Sequence, residues 1–158
     1  MTHVMCVIAI VHPMTEETQN RFATGGAPFR RYRAWAACHE LTLTVFQASN
    51  AWGEDPWLRS QVRLTALRAP SQVARGASSF STREFRRCLG RALTALDRLA
   101  CLIELGAELQ WIPATDKAKI EVLRDHAWHL TAGLDRALKR GPKRKRPKNI
   151  TIVPGASG

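Results

Sequence analysis

The sequence predicts an all-α protein, an up-and-down four-helix bundle, and three features carry that reading. Leu and Ala are common and β-branched runs are scarce beyond the first eleven residues, a composition that leans helical. Apolar residues recur every three or four positions through four segments, the spacing that lines one face of a helix. Each segment begins and ends on residues that start or stop helices. At 158 residues the chain accommodates one ordinary domain with a hydrophobic core.

Residues 1–28 read as a poorly ordered leader, with Gly25, Gly26 and Pro28 just before the first periodic segment. Met14 is a candidate start, which would place residues 1–13 upstream of it. The first helix is expected near 29–51, with Cys38, Leu41, Val45, Ala48 and Trp52 in one stripe and Gly53 closing it. The second is expected over 56–76. Asp55 is its N-cap and Pro56 sits at the first helical position, where a missing N–H costs nothing. Leu58, Val62, Thr65, Ala69 and Val73 give its inward face. Pro70 removes a donor in mid-segment and should kink or split this helix.

The third helix, 82–110, opens on Ser81-x-x-Glu84, which fits a capping box. Phe85, Leu89, Ala92, Leu96, Leu99, Ile103 and Gly106 follow as a bundle seam. The fourth, 115–140, has Thr115 or Asp116 to cap it and Ile120, Leu123, Ala127, Leu130, Leu134 and Leu138 as its seam. Four helices over 29–140 with short connections make the up-and-down bundle the economical solution. Residues 141–158 lack periodicity and read as a disordered basic tail.

Several of these segments resemble a known family. Tyr32 to Trp35 and Cys38-His39-Glu40-Leu41 are similar to the Trp and His-Glu-Leu of its first helix. Gln61-Val62-Arg63, Pro70-Ser71 and Ala74-x-Gly76 match its Gln-Ile-Arg, Pro-Ser and Ala-x-Gly elements in register. Ser81-x-x-Glu84-Phe85, Leu89, Ala92-Leu93, Leu96 and Leu109-x-Trp111-Ile112 continue the match. The family is that of four-helix bundle proteins encoded by intervening sequences in bacterial large-subunit ribosomal RNA genes. Its relatives include the accessory variability determinant of diversity-generating retroelements. The resemblance covers roughly residues 29–138. It implies a bundle assembled as a homopentamer, without a catalytic centre. Arg75, Ser78-Ser79, Arg98 and Ala100 depart from it, and at two of these positions, Arg75 and Arg98, a base replaces an acid of the family.

The charge is concentrated. The chain carries 24 Lys and Arg against 13 Asp and Glu, a net charge of +11, which suits a polyanionic partner. Residues 58–98 contribute nine Arg against Glu84 and Asp97, and residues 139–158 contribute seven bases and no acid. On the third helix Arg83, Arg87, Arg91 and Arg98 fall within roughly 80° of arc, about 130° from the seam, while Asp97, Glu104 and Glu108 gather on the opposite flank. A planar guanidinium donates two parallel hydrogen bonds to phosphate. The candidate nucleic-acid contacts are therefore Arg59, Arg63, Arg75, Arg83, Arg87, Arg91 and Arg98, with Lys143, Arg144, Lys145, Arg146 and Lys148 in the tail. The blander reading of such a stripe is a solvated charged face. Opposed flanks also suit a head-to-tail ring, and Trp128, off its seam, is a candidate for contact with a second subunit or with RNA, the alternative being a satisfied place at the edge of the core.

Other chemistry finds little support. Cys6, Cys38, Cys88 and Cys101 lack metal-site spacing, and the last three fall among apolar helical residues, so reduced, buried thiols and a cytoplasmic location are expected. His39-Glu40 lacks the second His of a metalloprotease motif, because position 43 is Leu43. His126, His129 and Asp125 lie off the apolar seam. No cofactor or metal is expected. No apolar run reaches the roughly 20 residues of a membrane span. The leading expectation is a non-catalytic, oligomeric accessory protein that binds RNA and/or DNA. The resemblance adds a reverse transcriptase and its RNA as candidate partners, and a pentamer as the first choice of assembly. The alternative is an oligomeric interaction scaffold with no direct nucleic-acid role; a membrane-surface role for the tail is weaker, as no amphipathic helix adjoins it.

Overall fold

A computed structural model describes residues 27–53 and 55–140. The leader up to residue 26, Glu54 and the tail from 141, with its five candidate bases, lie outside the described residues. Four α-helices follow one short 3-10 turn: α1 (Arg33–Ala48), α2 (Pro56–Ala77), α3 (Thr82–Glu108) and α4 (Ala114–Arg140). Each helix packs on its two neighbours in the cycle α1–α2–α3–α4–α1, while the diagonal pairs stand apart. The architecture is an up-and-down four-helix bundle.

The apolar stripes meet at the centre. Cys38, Leu41 and Val45 from α1, Leu58, Val62, Ala66, Ala69 and Val73 from α2, Leu89, Ala92, Leu96, Leu99 and Ile103 from α3, and Ile120 and Ala127 from α4 form one buried cluster. Small residues on α2 and α3 let these two helices approach most closely. A β-carbon at Gly76 would collide with the ring of Phe85 and come within 2.9 Å of Cys88 Cβ; one at Gly106 would meet Ile112 and Leu58.

The ends of the helices follow local chemistry, with several departures from the expectations above. Asp55 Oδ1 accepts from the amides of Trp57 and Leu58 at 2.7 and 3.1 Å, as an N-cap should. Ser81 Oγ accepts from the Glu84 amide, but the Glu84 carboxylate turns to Arg87, so only half of the capping box forms. Pro28–Arg31 is a 3-10 turn and α1 begins at Arg33, with Phe29 packed on Trp35 at 4.8 Å between ring centres. Helix α1 ends at Ala48, short of the expected 51, with Ser49 as its C-cap. Trp52 reaches the core from the connection. Helix α4 starts at Ala114, one residue earlier than expected: the Asp116 and Lys117 amides both bond to Pro113 O, so Thr115 and Asp116 lie inside the first turn. Asp116 instead accepts the indole N–H of Trp52 at 2.8 Å.

Pro70 does not split α2. The helix runs from Pro56 to Ala77 with Pro70 buried inside it. A proline at this position leaves the carbonyl four residues earlier, that of Ala66, without its helical donor. The Thr42 hydroxyl of α1 takes that place at 3.0 Å.

Candidate nucleic-acid interface

Helices α2 and α3 are antiparallel, and their shared seam places Gly76 beside Phe85 and Leu58 beside Gly106. This register brings the middle of α2 against the middle of α3. On the solvent side of the seam lies an open groove of about 310 Å³, walled by Thr65, Arg68 and Gln72 from α2 and by Arg91, Thr94, Ala95 and Arg98 from α3. Ala95 is small enough to keep the floor low. The three arginines are exposed at its rim.

No carboxylate lines this groove. Arg68, Arg91 and Arg98 make no ion pair or hydrogen bond with any described residue. Three like charges on facing helices repel one another unless an anion sits among them. Each guanidinium retains its full set of donors for phosphate oxygens. Gln72 adds an amide whose Oε1 is shielded from solvent and has no hydrogen-bond partner among the described residues, while the Thr94 hydroxyl bonds to Gly90 O at 3.1 Å.

The predicted arginines divide into three groups. Arg91 and Arg98 line the groove, joined there by Arg68, which the sequence reading did not single out. Arg75, Arg83 and Arg87 are exposed near the α2–α3 turn. Of these Arg87 pairs with Glu84 at 3.1 Å, an exposed contact of the kind that contributes little. Arg59 and Arg63 are engaged elsewhere. Arg59 Nη2 donates to the carbonyls of Trp52 and Gly53 at 2.6 and 2.9 Å. Arg63 donates to Ser49 Oγ and Asn50 Oδ1, both at 2.7 Å, and lies over the Phe46 ring. Both hold the α1–α2 connection against α2. Helical periodicity alone could not separate these roles, since all three groups sit on polar faces.

Arg68 and Arg75 are seven residues apart on one face of α2, a signal present in the sequence. It gains meaning only once the register with α3 is known. The acidic flank of α3 also differs from expectation. Glu104 accepts from Lys117 Nζ at 2.6 Å and is thus engaged within the chain; this hydrogen bond raises the Lys117 pKa. Arg86 similarly bridges α3 to Asp135 of α4 at 2.9 Å.

Trp128 is half-buried, packed against the core and edge-on to His129, the edge-of-core alternative to an intersubunit or RNA contact. The most exposed aromatic rings among the described residues are Trp57 at the start of α2, 61% accessible, and Phe80 in the α2–α3 turn, fully accessible. Cys38 and Cys88 are buried free thiols, whereas Cys101 is exposed, contrary to the expectation of a buried one. Cys6 lies outside the described residues. A larger depression of about 550 Å³ at the α3–α4 turn is lined by Glu108, Gln110 and Lys117 among small apolar residues, and concentrates no charge of one sign. Among the described residues no three His, Cys, Asp or Glu side chains gather as a metal site, and no helix is long and apolar enough to cross a membrane. No protein-family model matches the chain, and no curated protein matches it.

Proposed function

We propose that this protein is a non-catalytic nucleic-acid-binding accessory protein that works as a homo-oligomer and engages phosphates through the α2–α3 groove. The observation that carries the reading is the set of three arginines, Arg68, Arg91 and Arg98, brought from two helices into one groove without a neutralising carboxylate. The overall excess of +11 supplies long-range attraction for such a partner. The family resemblance supports a reverse transcriptase and its RNA as partners, and a pentamer as the assembly.

The test is charge reversal of the groove. Arg68→Glu, Arg91→Glu and Arg98→Glu together should lower affinity for RNA by more than tenfold and reduce the salt slope by roughly two to three. Arg136→Glu on exposed α4 is the control for a loss of net charge alone. Unchanged affinity and salt slope in a folded triple variant would remove the groove as the binding element.

A second reading has its own observation. Leu43 and Phe46 of α1 and Leu67 of α2 are exposed, and apolar side chains of this size at a surface suit a contact with another protein or a second copy. An interaction scaffold would use this face and leave the groove idle. Sedimentation of Leu43→Glu against the parent protein separates a role in assembly from a role in nucleic-acid binding.

A further inference from the structure

Resting on the nucleic-acid reading above, we infer that the occupant of the groove is a single-stranded polynucleotide, RNA or DNA alike, lying lengthwise along α2 with bases stacked on Trp57 and Phe80. The outer face of α2 presents Trp57, Leu64, Arg68, Ser71 and Arg75 within about 60° of arc at helical pitch. Trp57, Leu64 and both arginines are exposed there. Across the groove α3 presents Arg91 and Arg98. At the far end, in the turn that joins the two helices, stands Phe80. The strip therefore runs aromatic, arginines, aromatic.

That order is the pattern of a single-strand platform, in which a basic track follows the backbone and aromatic faces receive bases. A duplex has no use for the rings, because its base faces are already covered by their neighbours in the stack. The distance from Trp57 to Arg75 along α2 is about 27 Å at 1.5 Å per residue, room for on the order of four nucleotides, the low end of site sizes for such platforms. Stacking and phosphate contact are common to both sugars, so the strip does not distinguish RNA from DNA. It also explains why an exposed Trp and a fully exposed Phe bracket, along the chain, arginines that have no partner among the described residues. Scattered solvation of a charged face accounts for the arginines but not for the rings.

The experiment uses the full chain and fluorescein-labelled oligo(U), oligo(dT) and a duplex, each of about ten residues, roughly twice the strip's span. Anisotropy should show both single strands bound at least tenfold more tightly than the duplex at equal salt. Trp57→Ala and Phe80→Ala should each weaken single-strand binding fivefold or more with the salt slope unchanged, and Trp57→Phe should retain most of it. Both positions are exposed, and circular dichroism verifies the fold. Equal affinity for duplex and single strand, with both alanine variants unaffected while groove charge reversal still weakens binding, would overturn this inference and leave the groove reading standing. Loss of self-association without loss of affinity in Trp57→Ala would also overturn it, by assigning the ring to a contact between copies. Failure of the parent protein to bind any of the three probes would overturn both readings.

Discussion

The Thr42 hydroxyl on α1 lies 3.0 Å from the Ala66 carbonyl on α2, the acceptor that Pro70 deprives of its helical amide. The same hydroxyl lies 2.8 Å from Cys38 O in its own helix, so one proton serves two carbonyls. Leaving a buried carbonyl without a donor costs about 1–3 kcal/mol. Thr42→Val should therefore lower stability by about 1–2 kcal/mol. In a Pro70→Ala background, where the substituted residue restores the N–H, the same change should cost measurably less. Denaturant titration of the four proteins gives the coupling; additive effects would show that Thr42 does not compensate Pro70.

Two glycines on neighbouring helices should respond with opposite signs. Gly76→Ala places a methyl against Phe85 and Cys88, and overpacking of this kind typically costs about 1–3 kcal/mol. Gly90 has nothing within 4 Å of its virtual β-carbon and sits exposed in the middle of α3. Gly90→Ala should raise stability by about 0.5–1 kcal/mol through helix propensity. Thermal melts of both variants check the pair, and a stabilised Gly76→Ala would mean that α2 and α3 are less tightly apposed than described.

Burial pushes the Cys38 thiol from its usual value near 9.0 up to about 11, with the Thr131 hydroxyl offsetting part of the effect. The unfolded chain releases this proton near pH 9, while the folded chain holds it until about pH 11. Between those values the folded state binds more protons, so stability falls as pH rises, by at most about 3 kcal/mol. Below pH 9 Cys38 makes stability neither rise nor fall. Cys38→Ala should flatten this alkaline slope relative to the parent protein. Equal slopes from pH 9 to 11 in the two proteins would refute the assignment.

Removing residues 141–158 deletes five of the candidate bases, Lys143, Arg144, Lys145, Arg146 and Lys148. Bases contribute counterion release whether or not they fix the orientation of the partner. The truncated protein should bind RNA more weakly, with a salt slope shallower by up to about 4, yet still discriminate against the groove charge reversal. Complete loss of binding would assign recognition to the tail.

The bundle was legible in the sequence because periodicity and caps reported on the same elements. Asp55, Pro56 and the seams of α2, α3 and α4 were each read correctly from local spacing. At Pro70 the split, one of the two expected outcomes, does not occur, and the donor that serves the freed carbonyl comes from Thr42, 28 positions away. Thr115 and Asp116 misled: Pro113 supplies the first carbonyl of α4, and Asp116 is drawn to Trp52. The candidate interface was half legible. Arg91 and Arg98 followed from one helical wheel, but Arg68 needed the register of two helices, and Arg59 and Arg63 needed the path of a connection. Trp57 was overlooked because its exposure depends on which neighbour fails to cover it.

Every residue that lines the groove lies between Thr65 and Arg98, a stretch shorter than a quarter of the chain. The groove is therefore complete once α2 and α3 have paired across their four-residue turn, before α1 or α4 needs to dock. Contacts this local form early in folding, because little chain entropy is lost in closing them. The groove is encoded as one uninterrupted segment of the gene, so an insertion in α1 or α4 alters what surrounds it without dividing it.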